Sequence, residues 1–299
     1  MKPIIAEITS VSKKGYHANL GTPRKPNIQF CITNNSFVSD ENPVVGDIVT
    51  LEQRQDKYVI TQINSRKNFL ARFDHDRQKH QGFAANLDTI FVVTGANKEF
   101  NTTRIRRFLL LSGGQKIRKV IILTKIDLLK KKELEQYKKT LGQEFPMIEH
   151  ITINALDPEN VQTLLDYIKK KGTFILLGSS GVGKSTITNT LCGLDLKTKE
   201  TIQTGRFADK GKHTTTSRNM YYTPTGHKII DVPGIKIVGL EKDTILQSDI
   251  FKKVTDLTTQ CKFTNCQHKT EPNCAIKNAI ENGELSSAEF NSYLEIISV

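Results

Sequence analysis

The chain has no tryptophan and only five cysteines among its 299 residues. Because three of these cysteines crowd between residues 261 and 274, the pattern argues against a disulfide framework and favours a metal site. The sequence also lacks an apolar run near the roughly 18 residues of a membrane span, and Glu7 interrupts Met1–Ser10 before a signal-peptide core could form. We therefore expect a cytoplasmic protein with no membrane partner.

Positive charge, in contrast, is abundant. The formal net charge is +12, from 43 Lys+Arg against 31 Asp+Glu. This excess favours a polyanionic partner such as a nucleic acid or an anionic membrane, and charge alone does not choose between them. The length leaves room for about two or three domains, each with its own core.

The first 65 or so residues alternate short apolar runs with turn residues, which predicts a small β domain. The runs are Ile4–Ile8, Ile28–Thr33, Asp47–Leu51 and Lys57–Ile63. With the basic turn residues Lys13, Lys14, Arg24 and Lys25, the pattern suits a five-stranded barrel that binds oligonucleotides. A β module without RNA contact remains the alternative. Asn68–Gln81 is polar and basic, and we interpret it as a connector at a domain boundary.

From Thr89 onward, apolar strand runs alternate with helical stretches, which predicts a mostly parallel α/β sheet with its active site at the carboxyl ends of the strands. The runs are Ile90–Val93, Val120–Leu123, Ile148–Ile153, Phe174–Leu177 and Lys228–Ile230. Lys130–Lys139 is interpreted as the solvated face of a helix in preference to an RNA-binding patch. Near the end of the chain, Ser286 and Glu289 have the spacing of a capping box that opens a helix.

A glycine-rich loop follows the predicted strand Phe174–Leu177 and precedes the helix-compatible run Thr186–Cys192. Both its pattern and its context are those of a phosphate-binding loop, which predicts a nucleoside triphosphate site. Lys184 would contact the β- and γ-phosphates, the hydroxyl of Ser185 would bind Mg²⁺, and Thr186 would lie near the α-phosphate. The loop residues are Gly178, Ser179, Ser180, Gly181, Val182, Gly183, Lys184 and Ser185.

The base is read by residues that follow two other predicted strands. After Val120–Leu123 come Thr124, Lys125, Ile126 and Asp127. The Asp127 carboxylate would accept the N1–H and N2–H donors of guanine, a pair that adenine lacks, while Lys125 would lie along the base. Asn154 and Ala155 follow Ile148–Ile153, and the Ala155 N–H would face the guanine O6. These residues favour GTP, and an ATP-using enzyme is the less favoured alternative.

Two further segments are typical of nucleotide switches. Asp231-Val-Pro-Gly234 ends a predicted strand, so that Asp231 would hold the Mg²⁺ shell and the Gly234 N–H would sense the γ-phosphate. Thr201–Arg218 is polar and glycine-punctuated, and we interpret it as a switch loop. Within it, Thr214 or Thr215 would complete Mg²⁺ coordination, and the sequence does not choose between them.

The order of these motifs is unusual, because the base-reading residues precede the phosphate-binding loop. A circular permutation explains this order, since domain termini often lie close together and a relocated chain break leaves a site intact. Because the switch segment then leads into the C-terminal region, we expect the nucleotide state to reach that region.

A second set of residues predicts a metal centre. Three thiols and one imidazole within 14 residues form a complete tetrahedral set for one structural Zn²⁺. These residues are Cys261, Cys266, His268 and Cys274. Cys31 and Cys192 stand alone in apolar contexts and are interpreted as packed thiols.

With these motifs in this order, the chain resembles the ribosome small-subunit-dependent GTPases of the RsgA (YjeQ) family over essentially its whole length. The resemblance implies an N-terminal OB-fold β-barrel, a central circularly permuted α/β P-loop GTPase domain and a C-terminal zinc-binding α domain. We place these domains at residues 1–66, 67–240 and 241–299. The resemblance further implies slow GTP hydrolysis stimulated by the small (30S) subunit, a late role in its maturation, rRNA binding through the flanking domains, and a monomer that cycles between GTP and GDP. Thr124 replaces the family's usual asparagine, and Asn154 replaces its usual serine. These two departures favour a weaker affinity and a weaker preference for guanine than the resemblance implies.

The residue that orients the attacking water is not evident, because Ile235 occupies the place where many GTPases carry glutamine. His213, beside the switch threonines, is our candidate catalytic residue, since a neutral imidazole can orient or deprotonate water. An exposed loop histidine without a catalytic role is the alternative. At the level of the whole chain, the alternative is an RNA-binding assembly factor in which nucleotide orders the fold and hydrolysis is incidental.

Overall fold

The computed structural model describes residues 3–33, 42–74, 79–168, 172–194, 218–232, 245 and 248–297. Five strands in the N-terminal part close into a barrel in the order β1-β2-β3-β5-β4, with β4 returning to β1. Its interior is apolar and includes the fully buried side chains of Ile8, Leu51 and Ile60. The predicted five-stranded OB-type barrel is therefore confirmed. The strands are β1 Ile4–Ser12, β2 Gly15–Asn19, β3 Ile28–Thr33, β4 Ile48–Arg54 and β5 Lys57–Ile63.

The segment interpreted as a connector is instead an antiparallel hairpin of β6 (Phe69–Asp74) and β7 (Lys79–Ala85). The interpretation of Asn68–Gln81 as a connector was wrong because the segment pairs along two strands and contributes an apolar residue to the core. Leu70 is fully buried in the core beneath the central sheet. Arg66, just before the hairpin, donates to both carboxylate oxygens of the buried Asp47 at 2.7 and 2.8 Å, which fastens the hairpin to the barrel.

Six further strands form the predicted α/β sheet in the order β10-β9-β8-β11-β13-β12. All neighbours are parallel except β12, which is antiparallel to β13. Strand β12 was not predicted from the sequence, and its first residue, Arg218, was assigned to the switch loop. The strands are β8 Thr89–Gly95, β9 Arg118–Thr124, β10 Glu149–Thr152, β11 Thr173–Leu177, β12 Arg218–Tyr222 and β13 Lys228–Asp231.

The barrel and the α/β sheet are joined, because β1 pairs antiparallel with β12 and makes one sheet of eleven strands. Side chains reinforce this junction. Lys228 pairs with Glu7 at 2.6 Å, and Asn19 donates to the Tyr222 hydroxyl at 2.9 Å. Since both contacts are largely shielded from solvent, the barrel is anchored to the strands next to the phosphate-binding loop.

Helices cover both faces of the α/β sheet. Apolar residues of α1 and α2 pack on one face, and those of α3 and α4 pack on the other. As predicted, the lysine-rich α2 is solvated, and Leu141 is its one buried residue. The bounds are α1 Thr102–Leu110, α2 Lys131–Glu144, α3 Pro158–Gln162 and α4 Lys184–Cys192, with 3-10 turns at Ile126–Leu128 and Thr163–Tyr167.

The C-terminal part has a separate core built around Phe251, Val254 and Ile276. Ser286 caps its last helix, since its hydroxyl accepts from the Glu289 N–H at 2.9 Å. Among the described residues, no helix has both the length and the hydropathy that a membrane crossing requires. The helices are α5 Lys252–Thr258, α6 Ala275–Glu281 and α7 Ser287–Ile297, after a 3-10 turn at Asp249–Phe251.

Candidate active site and metal centre

The phosphate-binding loop lies between β11 and α4, at the carboxyl end of the sheet. Gly178 is required by close packing, since a Cβ there would lie 2.3 Å from the carbonyl oxygen of Val93. Gly183 caps α4 with a φ of 100°, which a side chain would disfavour. The buried Lys184 ammonium donates to the carbonyls of Gly178 and Ser179, both at 2.7 Å. The loop thus wraps around the lysine, while Ser180 and Gly181 are exposed at its rim.

Thr124 connects the base-reading turn to this loop. Its side chain is fully buried, and its Oγ1 lies 2.7 Å from the carbonyl oxygen of Val182 and 3.1 Å from that of Thr94. The hydroxyl can therefore donate to the middle of the phosphate-binding loop. The threonine that replaces the family's usual asparagine therefore links the base-reading turn to the phosphate-binding loop.

The remaining base-reading residues surround the same end of the sheet. Lys125 adopts a left-handed conformation, with a φ of 63°, and its aliphatic stem lies against Gly95. Asp127 is exposed on the 3-10 turn that follows. Asn154 folds the neighbouring turn by accepting from the Leu156 N–H at 2.9 Å, and Ala155 packs towards Gly183.

Asp231 closes the site from the other side of the loop. It ends β13 and is level with Leu176 on the neighbouring strand β11. Burial raises the pKa of its carboxyl, and the nearby Lys184 partly offsets this rise. Ser185 and Thr186 are half-buried in the first turn of α4. The remaining predicted site residues lie outside the described residues: His213, Thr214, Thr215 and Gly234.

One contact to the loop was not predicted. The guanidinium of Arg104, on α1, lies 3.0 Å from the Ser179 hydroxyl and 3.0 Å from the Glu99 carboxylate. No sequence motif marks this arginine, because it reaches the loop from a different helix.

Comparison with known proteins identifies the family. A sequence model described as RsgA GTPase matches residues 63–241. The chain belongs to the RsgA GTPase family. It is accordingly a GTP hydrolase.

Two curated relatives of the family match most of the chain. The protein named small ribosomal subunit biogenesis GTPase RsgA 2 from Vibrio vulnificus (strain CMCP6) is 37% identical over 262 residues, which cover 85% of this chain and 71% of that protein. The small ribosomal subunit biogenesis GTPase RsgA from Leptospira interrogans serogroup Icterohaemorrhagiae serovar Lai (strain 56601) is 34% identical over 266 residues, 87% of this chain and 73% of that protein.

Solved structures share the fold. The crystal structure of YjeQ from Thermotoga maritima superposes with a TM-score of 0.71 at 24% identity and covers 98% of this chain and 97% of that one. The structure of YloQ, described as a circularly permuted GTPase, gives a TM-score of 0.67 at 22% identity. The superposition covers 99% of this chain and 94% of YloQ. The permuted GTPase fold predicted from the motif order is therefore confirmed.

The four predicted metal ligands meet in the C-terminal part of the RsgA-family chain. The ligand atoms of Cys261, Cys266, His268 and Cys274 all lie within 4.8 Å of one another. His268 Nδ1 is 3.5 Å from the Cys261 sulfur and 3.3 Å from the Cys274 sulfur, and the two sulfurs are 4.0 Å apart. Tetrahedral zinc with these ligand types has edges of about 3.8 Å or slightly less, so the donor set and its spacing fit a zinc ion.

Glu271 shapes the loop that carries these ligands, and the sequence offered no signal for this role. Its carboxylate accepts from the backbone N–H groups of Gln267 at 2.8 Å, Lys269 at 2.9 Å and Thr270 at 3.1 Å. Led by the bond from Gln267, these donors lower the pKa of the Glu271 carboxyl to about 2. The ionised side chain therefore holds the turn between His268 and Cys274.

Proposed function

We propose that this chain is a GTPase that assists late maturation of the small (30S) ribosomal subunit, with slow hydrolysis that the subunit stimulates. The main support for the proposed GTP site is the contact between the Thr124 hydroxyl and the Val182 carbonyl oxygen, which are 2.7 Å apart. It joins the base-reading turn to the phosphate-binding loop although the two are far apart in the permuted chain. The role in subunit biogenesis is supported by relatives whose names state it.

In the proposed site, the phosphates lie against the backbone N–H groups of the phosphate-binding loop and against Lys184. Guanine is read by Asp127 and by the Ala155 N–H, with the stem of Lys125 along the ring. Ile126 begins the 3-10 turn that carries Asp127, and its carbonyl accepts from the Leu129 N–H. Asn154 fixes the second turn by its bond to Leu156. Because the two turns and the loop are in contact, the base and the phosphates are bound by one preformed surface.

Mg²⁺ with GTP is the proposed cofactor of this site. Ser185 and Asp231 offer the hydroxyl and carboxylate oxygens that Mg²⁺ prefers, and both lie at the carboxyl end of the sheet. Thr214 or Thr215 would add a further oxygen, and the Gly234 N–H would sense the γ-phosphate. Mg²⁺ would neutralise charge on the phosphates during hydrolysis.

The metal proposed for the Cys₃His cluster is one structural Zn²⁺, held by Cys261, Cys266, His268 and Cys274. All four protein ligands are present, so the ion would have no open position for a reacting molecule. The ion would therefore contribute to folding of the C-terminal helices and not to hydrolysis.

We further propose an OB-fold domain at residues 1–66, a permuted GTPase domain at 67–240 and a zinc-binding domain at 241–299. The flanking domains would bind rRNA, as the family resemblance implies, and the net charge of +12 favours a polyanionic partner for the chain as a whole. The partners are then the small subunit with its rRNA and GTP or GDP, the protein is a monomer, and its location is the cytoplasm where that subunit matures.

The test is hydrolysis of GTP and of ATP by the purified protein, with and without purified small subunits. We expect stimulation by the subunit that is restricted to GTP. Lys184→Ala serves as the control that removes phosphate binding. Equal use of ATP would contradict the base assignment, and hydrolysis that is unchanged by subunits would contradict the proposed partner.

A further inference from the structure

Helix α1 contacts the phosphate-binding loop through the side chain of Arg104. Arg104 bridges Ser179 and Glu99, each 3.0 Å from the same guanidinium nitrogen. Ser179 is the first residue after Gly178, at the point where the chain turns from β11 into the loop. The loop is therefore tethered to α1 at its entrance.

The opposite side of α1 is fixed by a buried charge two residues after Arg104. The Arg106 side chain is 1% exposed, and its guanidinium lies 2.6 Å from the Glu144 carboxylate and 3.1 Å from the Ser292 hydroxyl. It also lies over the Phe145 ring, 4.8 Å from the centroid. Because a buried charge that loses its partners is strongly unfavourable, α1 cannot shift here without breaking these contacts.

The same side of α1 is fastened to α7 in the C-terminal part of the chain. Thr103 lies 3.0 Å from Ser292, with either hydroxyl able to donate, and Arg107 pairs with Glu295 at 3.1 Å. Leu110, the last residue of α1, is fully buried in the core of the C-terminal helices. On α7 itself, the Phe290 ring packs edge-on against the imidazole of His268, with centroids 5.7 Å apart.

We propose that Arg104 is a positioning residue for the phosphate-binding loop, and that α1 couples this loop to α7 and the metal cluster behind it. The inference rests on the GTP site proposed above. Holding Ser179 in place removes conformational freedom from the loop before nucleotide arrives, so less order must be imposed on binding. By linkage, anything that stabilises the loop through α1 also stabilises the docking of α7, and the reverse holds equally.

The first experiment compares Arg104→Ala with Arg118→Ala in GDP binding, measured with a fluorescent GDP analogue and Mg²⁺. Arg118 is a matched control because it also pairs with a glutamate, Glu149 at 2.7 Å, and is similarly exposed at 47% against 45% for Arg104. Immobilising one or two flexible groups corresponds to about a two- to tenfold change in affinity. We expect Arg104→Ala to weaken GDP binding by that factor and Arg118→Ala to leave it unchanged.

A double-mutant cycle separates a positioning role from general destabilisation. In the wild-type background, Ser179→Ala should weaken GDP binding, whereas in the Arg104→Ala background it should have no further effect. Arg104→Ala that binds GDP as tightly as wild type, or strictly additive effects in the cycle, would overturn the positioning role.

Coupling to α7 is tested by hydrogen exchange of residues 287–297 in the full-length protein, with and without GDP. We expect GDP to slow exchange there in wild type but not in Arg104→Ala, and Ser292→Ala to weaken GDP binding. Equal exchange in all these samples would overturn the coupling. If wild type itself failed to bind GDP, the GTP site would be wrong, whereas wild-type binding with an unaffected Arg104→Ala would reject this inference alone.

Discussion

Thr124 takes the place of the asparagine that is usual in the family, yet its buried hydroxyl contacts the Val182 carbonyl at 2.7 Å. Replacing it by the isosteric valine would leave a buried acceptor without this donor, at a cost of about 1–3 kcal/mol. We therefore predict that Thr124→Val lowers the free energy of unfolding by this amount. We also expect about tenfold weaker GTP binding, since one factor of ten corresponds to about 1.4 kcal/mol. Denaturant unfolding and nucleotide titration measure the two effects.

Thr188 offers the matched control for this substitution. It is as buried as Thr124 and lies on α4 directly behind the phosphate-binding loop, but its hydroxyl has no hydrogen-bond partner within the described part of the chain. Thr188→Val removes a buried polar group that gains nothing from burial, so it should be neutral or stabilising. Equal destabilisation by the two variants would show that the Thr124 hydroxyl is not the cause.

The prediction for His213 concerns the rate of GTP hydrolysis. Because Ile235 stands where many GTPases carry a glutamine, His213 is proposed to orient the attacking water. His213→Ala should lower subunit-stimulated kcat by about 10²-fold or more, the contribution typical of general acid–base catalysis, with little change in GTP affinity. Single-turnover hydrolysis and GTP titration separate these effects. Stimulated turnover equal to that of wild type would exclude His213 from the mechanism.

At the scale of elements, strands with an uninterrupted apolar run were predictable, and strands interrupted by polar residues were not. β11 is buried throughout, and its run Phe174–Leu177 was sufficient to place the phosphate-binding loop. In contrast, β2 has the sequence Gly-Tyr-His-Ala-Asn, and the apolar residues of β6 are interrupted by an arginine and end at an aspartate. Neither sequence favours a strand strongly over a turn. The ties made by Arg104 and Thr124 were also unpredictable, because they join residues that only the fold brings together.

The C-terminal helices are the element most dependent on a metal. Their core is small and includes Cys274 together with partly buried Cys261 and Cys266. We predict one zinc per chain, and loss of helical signal from α5, α6 and α7 when a chelator removes it, because the binding free energy of a structural zinc contributes directly to folding. Metal analysis and circular dichroism provide the measurement.

Single substitutions at cysteine refine this metal test. Cys261→Ser should abolish stoichiometric zinc binding, whereas Cys192→Ser should retain it. Cys192 belongs to a different core on α4, and burial raises the pKa of its thiol to about 12, so it stays protonated and is a poor metal ligand. Stoichiometric zinc in Cys261→Ser would reject the assigned ligand set.

At the scale of the whole molecule, the barrel, the nucleotide site and the metal-binding helices are mechanically connected. β1 of the barrel pairs with β12, which precedes the strand that carries Asp231. On the opposite side, α1 joins the phosphate-binding loop to α7. A polyanion that contacts both flanking parts, as proposed for the rRNA, would therefore act on the GTPase sheet from two sides.

Salt should reveal such a polyanion, because each phosphate neutralised by lysine or arginine releases counterions. With a net charge of +12, we predict that the apparent affinity for the small subunit, taken from GTPase stimulation, falls at least about tenfold between about 50 and 200 mM salt, as about three or more phosphate contacts would give. GTP binding without subunits, measured over the same series, is the control that removes salt effects on the nucleotide itself. A stimulation curve with no salt dependence beyond this control would mean that the partner is recognised without its phosphates, and the proposed rRNA contacts would then be wrong.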